Sequence, residues 1–136
     1  MVGGDGIACY SDDGGDSFVQ ASTTAGANLT GHLLWTGSEL LTYGPNAVWR
    51  SPDGESWTST PISPAMISLG AVARSDQGTF VAASGGYRQW YEMQRFYRSS
   101  DGVSWTELPS GSYRGGHPIR SIVFGLGAPS DLCPVR

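Results

Sequence analysis

Carboxylates are the groups in this chain most able to act as acids, bases or nucleophiles. Of twelve, Asp12, Asp13, Asp16, Asp53, Glu55 and Asp101 lie inside three copies of one short motif, leaving Asp5, Glu39, Asp76, Glu92, Glu107 and Asp131 outside it. Glycoside hydrolysis needs two carboxyl groups facing each other across the scissile bond. Glu39 and Asp76 fall in tight turns between strands, and Glu92 lies in a long loop with no evident partner. The chain has no Gly-x-Ser-x-Gly and no Cys/His arrangement for nucleophilic catalysis. It has no Cys-x-x-Cys or His-rich spacing for zinc. No catalytic residue, metal or cofactor is therefore assigned.

Binding chemistry is better represented. Residues 85–94 form a polar, glycine-led stretch with Tyr87, Arg88, Trp90 and Tyr91, and residues 110–118 add Tyr113, Arg114 and His117. Aromatic side chains interleaved with Arg suit stacking on a sugar ring or a protein hot spot. The same aromatics would equally serve to cover sheet edges or pack a subunit contact.

The elements that must position these stretches are organised by the motif. Its copies are Ser11-Asp12-Asp13-Gly14-Gly15-Asp16-Ser17-Phe18, Ser51-Pro52-Asp53-Gly54-Glu55-Ser56-Trp57 and Ser99-Ser100-Asp101-Gly102-Val103-Ser104-Trp105. Asp-Gly between apolar runs predicts a tight hairpin turn, because Gly supplies a positive φ. Ser and Asp side chains can cap the backbone N–H groups within such a turn. The aromatic then opens the outgoing strand and can pack back over the turn. The Asp residues are thus read as turn fasteners.

Alternation and turn signals place strands at residues 7–11, 17–21, 33–36, 40–43, 47–51, 56–60, 68–74, 79–84, 95–99, 104–108 and 119–124, with no helix. The first Ser moves from 11 to 51 to 99, steps of 40 and 48 residues. Periods of roughly 40–50 residues with several short strands per unit match a β-propeller blade. The chain divides into a partial blade (1–24), two blades (25–62 and 63–109) and a closing strand with its tail (110–136). Three blade-equivalents are fewer than the ~4–8 of a closed propeller. The chain would then be part of a longer propeller, or half of a six-bladed homodimeric ring.

With 136 residues, 20 Gly, 8 Pro and a net charge of −4, the composition fits one turn-rich all-β domain. All eight cations are Arg, and no basic stripe suggests nucleic acid as a partner. No apolar run is long enough to span a membrane, and no signal-peptide pattern appears at Met1. Cys9 and Cys133 lie near opposite ends; they form a disulfide staple if the ends meet, and are otherwise unrelated thiols. Asn28-Leu29-Thr30 is a glycosylation sequon.

At Ser11/Asp13/Gly15/Phe18, Ser51/Asp53/Gly54/Trp57 and Ser99/Asp101/Gly102/Trp105 the chain resembles the Asp-box, or BNR-repeat, β-propellers of the sialidase-like superfamily. The resemblance implies a secreted, extracellular or periplasmic parent protein. It also implies that the Asp-box turns lie on the rim, away from the ligand face. The superfamily includes glycoside hydrolases and receptors, so fold alone does not fix activity. A sialidase-like site would use three Arg, a Tyr nucleophile assisted by Glu, and an Asp acid/base. The chain has only a loose echo of the Arg-Ile-Pro element, in His117-Pro118-Ile119-Arg120. The expectation is a non-catalytic module that binds glycan or protein through its loop face. The alternative is a fragment of a sialidase-like glycoside hydrolase.

Overall fold

A computed structural model describes residues 8–21, 32–65, 67–84, 95–109 and 119–125. These residues form ten β-strands in three antiparallel sheets, and no helix occurs among them. Sheet I pairs β1 (Cys9–Tyr10) with β2 (Val19–Gln20). Sheet II is a four-stranded meander of β3 (Leu34–Trp35), β4 (Leu40–Gly44), β5 (Ala47–Ser51) and β6 (Thr58–Pro61). Sheet III repeats the meander with β7 (Leu69–Arg74), β8 (Phe80–Ser84), β9 (Phe96–Ser99) and β10 (Thr106–Glu107).

Turn chemistry explains the hairpins. Thr36 N–H donates to the Glu39 carbonyl at 3.0 Å and closes β3–β4, while Ser75 N–H donates to the Thr79 carbonyl at 2.8 Å and closes β7–β8. The Ser-x-Asp-Gly motifs close β1–β2, β5–β6 and β9–β10. Their registers coincide: Cys9 faces Gln20, Trp49 faces Ser59 and Tyr97 faces Glu107.

Period-2 alternation sorts the side chains of sheet II onto two buried faces. Leu41, Tyr43 and Val48 point towards sheet III, where they meet Leu69, Phe80, Ala82, Tyr97 and Trp105. Trp49 and Trp57 point the other way, with Leu40 and Ala47, and meet Ala8 and Ala21 of sheet I. Sheet II is therefore the middle layer of a stack. Burying each large apolar side chain contributes about 1.5–3 kcal/mol.

Backbone approach between sheets II and III is confined to β7 against β3 and β4. The two sheets converge at their first strands and diverge towards their fourth. Tyr43, Phe80 and Trp105 fill the wedge edge-to-face, with ring centroids 5.8 Å apart for Tyr43–Trp105 and 6.4 Å for Phe80–Trp105. These are favoured aromatic geometries. The chain leaving β6 crosses the wedge: Ser63 N–H donates to the Val103 carbonyl at 2.9 Å, and Trp105 N–H donates to the Ser63 carbonyl at 2.6 Å.

Two expectations need correction. Residues 119–124 were expected to form a strand, but they pair with no strand among the described residues. A strand needs a ladder partner, the segment has none among the described residues, and Val123 and Phe124 are exposed. The motif aromatic can pack back over its turn, but Phe18 does not and is 56 % exposed. Trp57 and Trp105 are buried at that position because a neighbouring sheet covers them; sheet I has none on that side among the described residues.

Candidate functional site

The three motif turns are built alike. In the second, Ser51 Oγ accepts from Gly54 N–H at 2.7 Å and donates to Asp53 Oδ1 at 3.0 Å. Asp53 Oδ1 in turn accepts from the N–H groups of Glu55 (2.9 Å) and Ser56 (3.0 Å). The third repeats this with Ser99, Asp101 and Gly102: Asp101 Oδ1 accepts from Val103 N–H (2.8 Å) and Ser104 N–H (2.7 Å). The first turn is longer. There Asp13 accepts from Ser11 Oγ at 2.6 Å, from Ser17 N–H at 3.0 Å and from Ser17 Oγ at 2.5 Å.

This geometry decides what the aspartates can do. Donors converging on a carboxylate stabilise its charged form. Hydrogen bonds from Ser11, then Ser17, hold Asp13 far below the usual carboxylate range. The Ser56 and Glu55 amides lower Asp53, and the Ser104 and Val103 amides hold Asp101 far below that range. All three stay ionised at neutral pH with their oxygens turned into their own turns. They are fasteners, not proton donors.

The second and third turns differ in one bond. Trp57 Nε1–H donates to the Gly54 carbonyl at 3.0 Å. The equivalent Gly102 carbonyl instead accepts from Tyr43 Oη–H, also at 3.0 Å, from across the wedge. Trp105 Nε1 is left buried without a hydrogen-bond partner. Burial pushes the Tyr43 hydroxyl well above the ordinary tyrosine range.

The candidate ligand-binding residues Tyr87, Arg88, Trp90, Tyr91, Tyr113, Arg114 and His117 lie outside the described residues, as do Asn28 and Cys133. The pairing of Cys9 with Cys133 therefore falls outside them too. What the structure does fix is where the two stretches start. Ser84 N–H donates to the Arg95 carbonyl at 2.7 Å, Arg95 N–H donates to Ser84 Oγ at 2.8 Å, and Leu108 N–H donates to the Phe96 carbonyl at 2.8 Å. The end of β8, the start of β9 and the end of β10 thus lie side by side at the end of sheet III opposite its motif turn. An Arg95–Glu107 ion pair of 3.4 Å spans the same end.

Sequence reasoning missed the side chains that join neighbouring sheets. Arg50 pairs with Glu39 and also donates to the Asp101 carbonyl at 3.1 Å. Arg74 donates to the Thr36 carbonyl at 2.9 Å and lies over the Phe80 ring, 5.6 Å from its centroid. Arg50 had a legible signal, since an Arg precedes the motif Ser at both 50 and 98. A cleft lined by His32, Leu34, Arg74, Asp76 and Phe124 had none. Among the described residues, no three His, Cys, Asp or Glu side chains cluster as metal ligands do.

Comparisons with protein-family models, curated proteins and solved structures return no match.

Proposed function

We propose that this chain is part of an Asp-box β-propeller and serves as a non-catalytic binding module for a glycan or protein ligand. The observation that carries this reading is the convergence of the anchors of residues 85–94 and 110–118 at one end of sheet III. Residues 85–94, with two Tyr, one Trp and one Arg, and residues 110–118, with one Tyr, one Arg and one His, leave the scaffold together, at the end away from the motif turn. Rigid sheets carrying aromatic loops are a common basis for recognition. The fan of sheets II and III and the three fastened turns support the propeller part of the proposal.

Glycan-array screening followed by calorimetry tests the reading. Trp90→Ala is expected to abolish binding of the captured ligand while the far-UV circular dichroism spectrum stays unchanged. Binding that survives Trp90→Ala discards this site. Turnover of a fluorogenic sialoside by the wild-type chain would overturn the non-catalytic assignment.

A further inference from the structure

We propose that a second copy of this chain docks its sheet III on the face of sheet I that no described sheet covers, independently of any ligand. The internal contacts of the stack state the rule that this contact continues. At the first motif aromatic position, Trp57 is 7 % exposed against sheet I and Trp105 is 5 % exposed against sheet II. The third member of that set, Phe18, has no preceding sheet among the described residues and stands in solvent.

The opposite end of the stack shows the matching deficit. The residue before each motif Ser reaches the turn of the following sheet. Tyr10 lies over Gly54, where an added Cβ would come 3.8 Å from Tyr10 Cβ. Arg50 donates to the Asp101 carbonyl at 3.1 Å. Arg98 is the third member, and it is exposed, with no ion pair or hydrogen bond to its guanidinium among the described residues. The turn it would meet on a second copy is the most acidic of the three, with exposed Asp12, Asp13 and Asp16. Among the described residues Phe18 lacks a covering sheet and Arg98 lacks a following turn, and the Arg98 cation is opposite in sign to the three aspartates of the first turn.

Under a two-fold axis the contact forms twice, sheet III of each copy on sheet I of the other, so that the two halves make one isologous interface and the dimer closes.

Light scattering and sedimentation equilibrium on the full chain test this. The expected result is a discrete dimer at twice the 14.4 kDa chain mass. Phe18→Asp and Arg98→Glu should each raise the dissociation constant at least tenfold. Both residues are exposed, so the circular dichroism spectrum should not change; if Phe18→Asp misfolds, Arg98→Glu alone decides. Mixing the two variants one to one leaves one intact contact per mixed dimer, so the mixture should associate more tightly than either variant alone. A monomeric wild type, or a dimer that neither substitution weakens, overturns the proposal.

Discussion

Replacing Gly102 by Ala probes the point where the third turn meets the neighbouring sheet. Gly102 has φ +73°, and a Cβ there would lie 2.9 Å from Tyr43 Oη and 3.3 Å from Phe80 Cζ. Gly54 occupies the same turn position with φ +84°, but its nearest neighbour would be Leu40 Cδ1 at 3.5 Å, an ordinary contact. Both substitutions carry the left-handed backbone cost of an L-residue, about 1–2 kcal/mol. Only Gly102→Ala must also displace the Tyr43 hydroxyl from the Gly102 carbonyl, which adds roughly 0.5–1.5 kcal/mol for the lost bond. Gly102→Ala should therefore destabilise by about 1.5–3.5 kcal/mol and exceed Gly54→Ala by about 1 kcal/mol. Urea unfolding followed by tryptophan fluorescence, at matched m-values, measures both. In a Tyr43→Phe background the clashing oxygen is gone, and the gap between the two glycines should shrink to what the 3.3 Å approach to Phe80 Cζ leaves. Equal costs in the wild-type background, or a gap that Tyr43→Phe does not shrink, would refute the reasoning.

Other predictions concern the turns and their aromatics. Asp13, Asp53 and Asp101 have folded-state pKa values below the unfolded value of about 3.9, so their stabilisation is present above that pH and is lost as pH falls below about 4. Thermal melts should be level from pH 7 to 5 and drop below 4; a melting temperature that holds down to pH 2 would contradict this. The Tyr43 pKa is raised, so the corresponding loss comes as pH rises beyond about 10, and Tyr43→Phe should remove it from an alkaline titration of stability. Trp57→Phe breaks a buried hydrogen bond, whereas Trp105→Phe removes a donor that has no partner. Trp57→Phe should be the costlier by about 1–2 kcal/mol in urea unfolding, and the reverse order would count against the bonding described.

The hairpins were legible because their signals are local. Asp-Gly at 53–54 and 101–102, with alternating residues on both sides, locates β5–β6 and β9–β10 to within two residues. The role of the aspartates was legible for the same reason: every group that Asp53 and Asp101 bind lies within three residues. Contacts between sheets were not legible. The bonds from Tyr43 to Gly102 and from Arg50 to Asp101 join residues more than fifty apart in sequence, and although the repeated Arg before the motif Ser marks Arg50, nothing in the sequence names its partner. Residues 119–124 misled because alternation describes a strand's faces but says nothing about whether a partner lies beside it. Phe18 misled in a related way, since packing at that position depends on the adjacent sheet and not on the turn.

The double-faced burial of sheet II has a consequence for alignment of its strands. In a sheet with one wet face, a slip of one residue drives apolar side chains into water, so hydrophobicity enforces the pairing. A slip in β5 would merely exchange Val48 for Ala47 or Trp49, and both sets lie between layers. Oil-and-water sorting is nearly blind to that error. The Ser51–Asp53–Gly54 turn is not, because its bonds form only when Arg50 stands opposite Thr58. The motif thus acts as a phase lock for β5 and β6, supplying by hydrogen-bond geometry the discrimination that the apolar pattern of this sheet has given up.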